Sequence, residues 1–358
     1  MSNDNTVEVR KEEALNHTNL KQFLFENELI NDTKNNLQIR RFSGGLSNLT
    51  YLLKIENKEY VLRRPPFGAV KRGHDMGREF KVLSNLKSEF DKVPLAHAFS
   101  KDESIIGSSF YIMTKAEGII LTLPEANNRN IKTDEFKTIS NTWLDTFVQL
   151  HQTDYKAAGL NDLGKPEGYV ERQITNWAKQ YENAKTDNIL ESAQVIKWLI
   201  ENQPTEYSHS IIHNDYKYDN VMFKNNRWNE ISTILDWEMC TLGDPLMDLG
   251  TSLSYWVTDS DLDPLKKGLS SPTMLKGNPN RLDIVEMYSK KSGNPINNLV
   301  FYYVYGLFKL AVIVQQIYFR YDKGYTTDKR FANLNQHTKL LFTIANQAIQ
   351  KNKIDHLF

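Results

Sequence analysis

The chain has 358 residues, of which 40% are hydrophobic and 25% are charged, as in an ordinary soluble globular protein. Lysine plus arginine and aspartate plus glutamate each number 44, so the formal net charge is zero. This balance argues against nucleic acid or an acidic surface as a partner. The length suits two domains or one large two-lobed unit with an ample core.

The cysteine content and the apolar segments favour a cytoplasmic protein. The single cysteine, Cys240, cannot form an internal disulfide, and the first five residues lack the apolar core of a signal peptide. The longest apolar stretch, residues 299–314, is interrupted by Gly306 and Lys309. We expect a buried helix there, too short and too polar to span a bilayer, and hence no membrane partner.

The first third of the chain predicts β-strands. Residues 37–63 form short runs rich in Val, Ile, Leu and Tyr, separated by turn residues at 43–45 and 56–58. This pattern predicts strands joined by a glycine loop and a hairpin turn. Pro65 and Pro66 end the β segment, because proline cannot continue a ladder of hydrogen bonds.

One helix and one further strand complete this region. Residues 77–90 place apolar side chains on one helical face, at Phe80, Leu83, Leu86 and Phe90. Residues 110–113 predict a strand that ends before Gly118.

The remainder of the chain is predicted to be mainly helical. The clearest amphipathic helix is marked by Phe136, Ile139, Trp143, Phe147 and Leu150. Residues 211–236 return to β structure, and helices dominate from Leu246 onwards. A β-rich first third followed by a helical remainder predicts an α+β fold with two lobes that meet near residue 116.

The segment that carries chemistry is residues 211–220, Ile-Ile-His-Asn-Asp-Tyr-Lys-Tyr-Asp-Asn, which contains H-x-D-x-x-x-x-N. Phosphoryl transfer from ATP needs a carboxylate near the attacking hydroxyl and oxygen ligands that hold Mg²⁺ on the phosphates. Asp215 can accept the hydroxyl proton, while Asn220 and the later Asp236 can supply hard oxygen ligands.

The residues between Asn220 and Asp236 read as a hairpin. Apolar residues 221–223 and 231–235 flank the turn-tolerant pair Asn225-Asn226. A hairpin would bring Asn220 and Asp236 side by side, as two ligands of one metal ion require. The alternative is that these are loop polar groups without a catalytic role, and the ordered combination of motifs argues against it.

With these motifs the chain resembles the aminoglycoside phosphotransferase-like kinases, which share the protein-kinase fold. The resemblance covers roughly residues 37–255. It is greatest to the branch also found fused to acyl-CoA dehydrogenases, through Leu235-Asp236-Trp237-Glu238, Gly243-Asp244-Pro245 and Asp248. It implies a bilobal kinase-like fold with a nucleotide-binding lobe at 1–116 and a helical lobe at 117–358 that holds the catalytic loop and acceptor site.

The resemblance also implies the chemistry and the roles of the motif residues. It indicates an ATP- and Mg²⁺-dependent phosphotransferase that acts on a hydroxyl group of a small molecule. Asp215 would be the catalytic base, Asn220 and Asp236 the magnesium ligands, and His213 a structural residue. Asn214 stands where the family usually has glycine, and asparagine tolerates unusual backbone angles better than most residues.

The nucleotide site is implied by the same resemblance. The phosphate-covering loop would be formed by Gly44, Gly45, Ser47 and Asn48, although a Gly-Gly pair alone is equally typical of a turn. Arg63 falls at the phosphate-binding lysine position, paired with Glu79, and Arg64 points to the opposite strand face. The alternative is two solvated arginines at a strand end. The adenine would meet backbone groups of Thr114 and Ala116 beside Met113.

Three further residues have mainly structural interpretations. Asp244 before Pro245 is typical of a helix N-cap. His151 is interpreted as a packing or capping histidine, because no metal-ligand spacing surrounds it. The resemblance suggests that Asp248 supports the catalytic loop.

Competing functions are a protein kinase, a non-catalytic nucleotide-binding module and an aminoglycoside kinase. No A-P-E motif or long activation segment follows Asp236, which argues against a protein substrate. Arg63 at the lysine position keeps the non-catalytic module open. Residues 259–291 hold five acids and six bases, so this segment has no excess of carboxylates to bind a polycation. We therefore expect a neutral or anionic acceptor, such as a hydroxyacyl derivative. The sequence predicts no particular oligomeric state.

Overall fold

The computed structural model describes residues 6–43, 48–66 and 75–358. The chain divides into two compact units. Unit 1 comprises Met1–Glu117, Tyr155–Leu163 and Ser232–Cys240, and unit 2 comprises Gly118–Asp154, Gly164–Ile231 and Thr241–Phe358. Unit 1 thus takes in two segments from later in the chain. The functional roles assigned to the two lobes stay predictions.

Unit 1 is built on one antiparallel sheet. Its strands are β1 (Thr6–Val7), β2 (Leu37–Phe42), β3 (Leu49–Ile55), β4 (Lys58–Arg64), β5 (Ala96–Ser100) and β6 (Phe110–Thr114). The strand order is β1-β2-β3-β4-β6-β5. The predicted strands of this region are therefore confirmed, and β4 ends directly before Pro65.

The helices of unit 1 are α1 (His17–Glu26), α2 (Met76–Leu86) and the short α3 (Glu103–Ile106), so the expectation of a single helix is wrong. Asp75 caps α2 by accepting the Arg78 N–H at 3.0 Å. The helix ends at Leu86, earlier than predicted, and the Glu89 and Phe90 N–H groups both donate to the Leu86 carbonyl in the turn that follows. Phe90 still packs into the core.

Unit 2 is mainly helical. Its helices are α4 (Leu123–Asn128), α5 (Glu135–Gln152), α6 (Tyr169–Ala184), α7 (Leu190–Glu201), α8 (Pro245–Tyr255), α9 (Asp263–Leu269), α10 (Arg281–Ser292), α11 (Leu299–Asp322) and α12 (Leu334–Lys351). Short strands interrupt them, namely β7 (Ile119–Ile120), β8 (Ser210–Ile212), β9 (Val221–Phe223), β10 (Ile231–Ile234) and β11 (Thr241–Gly243). Strand β10 begins in unit 2 and its residues after Ile231 belong to unit 1.

The short strands frame the motif residues. Strand β8, which leads into the H-x-D motif, pairs antiparallel with β11, with Ile212 opposite Thr241. Strand β9 starts directly after Asn220 and pairs with β7. Between β9 and β10 the Lys224 N–H donates to the Glu230 carbonyl at 2.9 Å, which confirms the predicted turn.

Helix α11 is the central helix of unit 2. Among the described residues it is the one helix long and apolar enough, by length and composition, to cross a membrane, and 72% of its apolar window is buried inside the structure. The predicted buried helix is confirmed. The expectation that it is too short and too polar to span a bilayer is wrong, because the helix runs for 24 residues to Asp322.

Two glycines let α8 and α11 approach closely. A Cβ atom added at Gly306 would lie 2.1 Å from the Gly250 carbonyl oxygen, and one at Gly250 would lie 2.1 Å from the Tyr302 carbonyl oxygen. Backbone atoms cannot move aside as a side chain can, so any larger residue forces the two helices apart.

We therefore expect Gly306→Ala to lower the free energy of unfolding by about 3 kcal/mol, the upper end of the usual overpacking cost. Chemical denaturation measures this change. Gly77→Ala in α2 is the matched control, because its Cβ would meet side-chain atoms and no backbone, namely the tip of the Phe99 ring at 3.0 Å and Asp75 Oδ1 at 3.4 Å. Equal losses of stability in the two variants would contradict the close helix approach as the cause.

Candidate active site

Arg63, at the end of β4, is the centre of a partly buried ion cluster in unit 1. Its Nη1 donates to Glu79 Oε1 at 2.7 Å, and its Nη2 donates to Asp236 Oδ1 at 3.0 Å. Glu238 Oε2 lies 3.5 Å from the same Nη2. The predicted Arg63–Glu79 pairing is thus present. The alternative of two solvated arginines is wrong, because Arg63 is 8% and Arg64 2% exposed.

The cluster is rich in carboxylates. Three carboxylates surround one guanidinium. Burial alone would lower the pKa of Arg63. Its neighbours, Glu79 and Asp236 among them, outweigh burial and raise this pKa well above its ordinary value. The Asp236 and Glu238 side chains are 33% and 20% exposed, whereas Glu79 is buried. Carboxylate oxygens of this kind suit Mg²⁺. The residues present therefore fit a magnesium ion beside Asp236 and Glu238.

The backbone at Asp236 is unusual. Its φ of 63° and ψ of 63° lie in the left-handed region, which non-glycine residues adopt rarely and mostly at functional sites. The next residue fixes this conformation, because Trp237 is buried and its Nε1 donates to the Ile234 carbonyl at 2.9 Å. The indole also packs edge-on against Phe90. The Asp236 carboxylate is thus held by local structure as well as by Arg63.

Of the predicted phosphate loop, Asn48 is described, while Gly44, Gly45 and Ser47 lie outside the described residues. The Asn48 side chain is buried, and its Nδ2 donates to Glu238 Oε2 at 2.7 Å. Asn48 therefore connects the segment before β3 to the acidic cluster. The phosphate-binding role of all four residues stays a prediction.

The predicted adenine-binding segment lies at the end of β6. Met113 is buried, while Thr114 is exposed and Ala116 half-buried. The Thr114 N–H donates to the Leu95 carbonyl at 2.8 Å. A hydrogen-bond donor for adenine would therefore come from Ala116, and Thr114 would offer its carbonyl.

The catalytic loop of unit 2 brings Asp215 and Asn220 together. Asn220 Nδ2 donates to Asp215 Oδ2 at 2.6 Å and to the Asp215 carbonyl at 2.8 Å. Lys217, to which the sequence argument gave no role, also contacts this carboxylate. Its Nζ lies 3.0 Å from Oδ1 and 2.9 Å from Oδ2 of Asp215. The Asp215 carboxylate is therefore oriented by one amide and one ammonium group.

Lys217 remains a cation in this position. Burial alone would lower its pKa, but Tyr255 and Asp215 raise it above the ordinary lysine value. The ammonium lies 4.6 Å from the centroid of the Tyr255 ring, a distance at which a cation–π contact is favourable. The signal that could have indicated Lys217 is a basic residue two positions after the motif aspartate.

Asp248 in α8 holds the backbone of the catalytic loop. Its carboxylate accepts the His213 N–H at 2.6 Å and the Asn214 N–H at 2.7 Å. Although burial alone would raise the pKa of Asp248, the hydrogen bonds and charges of its neighbours, His151 first, hold it below the usual value. The expectation that Asp248 supports the loop agrees with these contacts.

Two histidines complete the support. His151 is buried at the end of α5, where its ring lies 2.6 Å from the Tyr288 hydroxyl and 3.2 Å from Asp248 Oδ2. It is therefore a packing histidine, as expected. His213 is fully buried, and its Nδ1 accepts the Asp215 N–H at 3.3 Å.

Two further expectations are met in the backbone. Asn214 has a φ of 67°, in the left-handed region, which explains why glycine or asparagine suits this position. Asp244 accepts the Leu246 N–H at 2.9 Å as the N-cap of α8, with Pro245 at the start of the helix.

The predicted metal ligands are placed in separate units. Asn220 belongs to unit 2 and Asp236 to unit 1, so their joint role at one ion stays a prediction. Within residues 6–43, 48–66 and 75–358 no group of three or more His, Cys, Asp or Glu side chains is arranged to hold a metal ion. Mg²⁺ in kinases uses few protein ligands and completes its shell with phosphate oxygens and water.

The chain is similar in sequence to one protein family and to several curated proteins. The model of the phosphotransferase enzyme family, APH, matches residues 38–273. Acyl-CoA dehydrogenase family member 10 of Mus musculus is 30% identical over 348 residues, covering 96% of this chain and 32% of that protein. Acyl-CoA dehydrogenase family member 11 of Homo sapiens is 31% identical over 312 residues, covering 84% and 39%. The chain thus spans about a third of the length of these curated relatives.

Solved structures agree on the fold. A Ralstonia eutropha protein assigned provisionally as an aminoglycoside phosphotransferase has a TM-score of 0.80 and 27% identity, covering 94% of this chain and 99% of its own. Choline kinase from Cryptosporidium parvum has a TM-score of 0.62 at 14% identity, covering 94% and 97%.

The β-rich N-terminal region, the helical C-terminal region and the H-x-D-x-x-x-x-N loop define a phosphotransferase with a kinase-like α+β fold. The chain belongs to the phosphotransferase enzyme family, APH. The predicted fold class, the resemblance and the assignment to a phosphotransferase enzyme class are confirmed.

Proposed function

We propose that the chain transfers the γ-phosphoryl group of ATP, with Mg²⁺, to a hydroxyl group of a small molecule. The observation that carries the proposal is the Asp215 carboxylate, held by Asn220 and Lys217 on a loop whose backbone N–H groups are bound by Asp248. A fixed carboxylate of this kind is what phosphoryl transfer to an alcohol requires.

In this proposal Asp215 accepts the proton of the acceptor hydroxyl as its oxygen bonds to the γ-phosphorus. The bond from that phosphorus to the β,γ-bridging oxygen breaks, and ADP leaves with the electron pair. Lys217 keeps a positive charge beside the reacting oxygen, where it offsets the charge of the transferred group.

Asp236 and Glu238 in unit 1, together with Asn220 in unit 2, would hold Mg²⁺. The ion would neutralise phosphate charge and orient the phosphates. Arg63 presents a permanent cation to the same region and keeps Asp236 in place.

The runner-up is a nucleotide-binding module without activity, suggested by Arg63 at the lysine position. In unit 1 Arg63 keeps the ion pair with Glu79, at 2.7 Å, that a lysine would make there. The replacement therefore conserves the charge and its partner, which supports an active enzyme over the inactive module.

For the acceptor, we propose a neutral or anionic hydroxyl compound such as a hydroxyacyl derivative. The curated relatives are acyl-CoA dehydrogenase family members, and this supports acyl chemistry by association alone. Three of the five acids of the 259–291 segment are already engaged within unit 2. Asp261 binds Arg281, Asp263 binds Lys266, and Asp283 accepts the Asn280 N–H in the capping box of α10. Such a segment offers little to a polycationic antibiotic.

Steady-state kinetics tests the acceptor proposal. We expect hydroxyacyl-CoA substrates to reach a kcat/KM of about 10⁴ M⁻¹s⁻¹ or more, within the ordinary enzyme range, and kanamycin-type compounds to fall far below it. Phosphorus NMR of the product locates the transferred group. The matched control is the acyl-CoA without the hydroxyl, which should give no product. Turnover of an aminoglycoside at this efficiency, with none of hydroxyacyl compounds, would overturn the proposal.

A further inference from the structure

Lys309, in the middle of α11, is a buried cation next to the catalytic loop. It is 1% exposed, although lysine is almost never fully buried without a partner. Its Nζ donates to the Asn214 carbonyl at 2.7 Å and lies 3.1 Å from Asn214 Oδ1. The carbonyl it binds belongs to the peptide bond that joins Asn214 to Asp215. No sequence motif includes this lysine, which lies 95 residues further along the chain.

Two oppositely charged groups therefore hold the residue before the catalytic base. Asp248 accepts the Asn214 N–H at 2.7 Å, and Lys309 donates to the Asn214 carbonyl. Asn214 has a φ of 67°, a backbone conformation that must be stabilised by its surroundings. The peptide planes on both sides of Asn214 are thus each held by one charged group, and the plane that leads into Asp215 is the one that Lys309 binds.

We propose that Lys309 is a positioning residue, whose ammonium group fixes the Asn214 carbonyl and so the direction of the Asp215 carboxylate. The inference rests on the proposed phosphotransferase function, in which Asp215 is the base. Lys309 itself touches no reacting atom, so its effect should appear in kcat and not in the KM for ATP.

The charged and titratable groups around Lys309 come from three other elements. The catalytic loop contributes Asp215 and Lys217, α8 contributes Asp248, and α6 contributes the Tyr169 hydroxyl, which bonds Asn214, with the Trp177 ring 5.9 Å away. Burial lowers the pKa of Lys309 to about 8, against the opposing effect of Asp248 and Asp215. The ammonium form is therefore present below pH 8 and is lost as the pH rises through that value.

Lys309→Met tests the inference, because methionine fills a similar volume without charge or donor. We expect kcat to fall about 10-fold to 100-fold, the range for a slightly misplaced catalytic group, with the KM for ATP unchanged. The wild-type kcat should decline above pH 8, and this alkaline limb should be absent in Lys309→Met. A purely structural lysine would not produce that difference in pH profile.

Gln315→Met is the matched control on the same helix. Gln315 is also buried and donates to a backbone carbonyl, that of Ala184 at 2.8 Å, away from the catalytic loop. We expect it to lower stability while leaving kcat and its pH profile unchanged. A folded Lys309→Met with kcat within twofold of wild type, or equal losses in both variants, would overturn the inference.

Hydrogen exchange provides a readout that needs no turnover. The amides of His213, Asn214 and Asp215 should exchange about tenfold faster or more in Lys309→Met than in Gln315→Met. If the wild type transfers no phosphoryl group to any acceptor, the proposed function fails, and this comparison still decides the role of Lys309. If Lys309→Met does not fold, the pH profile of the wild type decides. A kcat that declines above pH 8 supports the inference, and a kcat that stays constant there refutes it.

Discussion

Asp215→Asn should leave the fold and ATP binding nearly intact and reduce phosphoryl transfer by about 10²-fold to 10⁴-fold, the usual contribution of a general base. Asparagine keeps the size of the side chain and can still contact Asn220, but it cannot take the hydroxyl proton. The ammonium of Lys217 also loses the carboxylate on which it is centred. Rates of ADP formation and thermal shifts with ATP, measured on the same protein, separate chemistry from binding.

Asp219→Asn is the control for this variant. Asp219 lies in the same loop and carries the same charge, and it has no place in the proposed proton transfer. We expect its rate to stay within about threefold of wild type, because Asp219 is exposed and water screens its charge from the reacting groups. Full activity in folded Asp215→Asn would remove Asp215 from its proposed role. Equal losses of rate in both variants would mean that the total charge of the loop, and not a specific base, determines the rate.

The sequence was sufficient where function depends on residues close together in the chain. The H-x-D-x-x-x-x-N spacing places Asn220 one loop away from Asp215, and the structure has them in contact. The strand pattern of residues 37–63 is dictated by alternation and turn residues, so its prediction held for β2 to β4. The Arg63–Glu79 pair followed from the family resemblance and is present.

Sequence reasoning was insufficient where partners come from distant segments. Lys309 binds the Asn214 carbonyl from α11, which no local pattern connects to the loop, whereas the role of Asp248 came from the family resemblance and not from periodicity. Glu238 joins the Arg63 cluster because the Ser232–Cys240 segment folds into unit 1, which periodicity does not encode. The end of α2 depended on how two N–H groups close the last turn, a choice set by packing of Phe90.

The geometry assigns different tasks to the two units. In unit 1 three carboxylates surround Arg63, and we propose that two of them, Asp236 and Glu238, hold the cation. In unit 2 a buried network around Asp248 fixes the base. We therefore expect a variant in the Arg63 cluster to change nucleotide and metal binding, and a variant in the Asp248 network to change the chemical step.

Asp236→Ala should abolish the part of the ATP-induced stabilisation that depends on Mg²⁺. For the wild type we expect ATP with Mg²⁺ to stabilise the native state by about 2–3 kcal/mol at roughly a hundredfold excess over Kd, and ATP alone to give much less. Asp236 is the carboxylate of the cluster with the most exposed side chain, and its loss removes the more accessible of the two proposed unit 1 ligands. Thermal unfolding with ATP, with and without Mg²⁺, measures the difference.

Two controls separate the metal from the backbone. Asp236 has a φ of 63°, where alanine is strained, so Asp236→Ala should also be less stable without ligand by about 1 kcal/mol. Asp236→Asn tolerates this backbone angle yet lacks the negative charge, and it should lose the Mg²⁺ increment with less loss of stability. Asp162→Ala removes an exposed unit 1 carboxylate paired with Lys81 and should keep the whole increment. A complete Mg²⁺-dependent shift in Asp236→Ala would show that Asp236 is not a ligand of the ion, and the predicted role of Asp236 would be wrong.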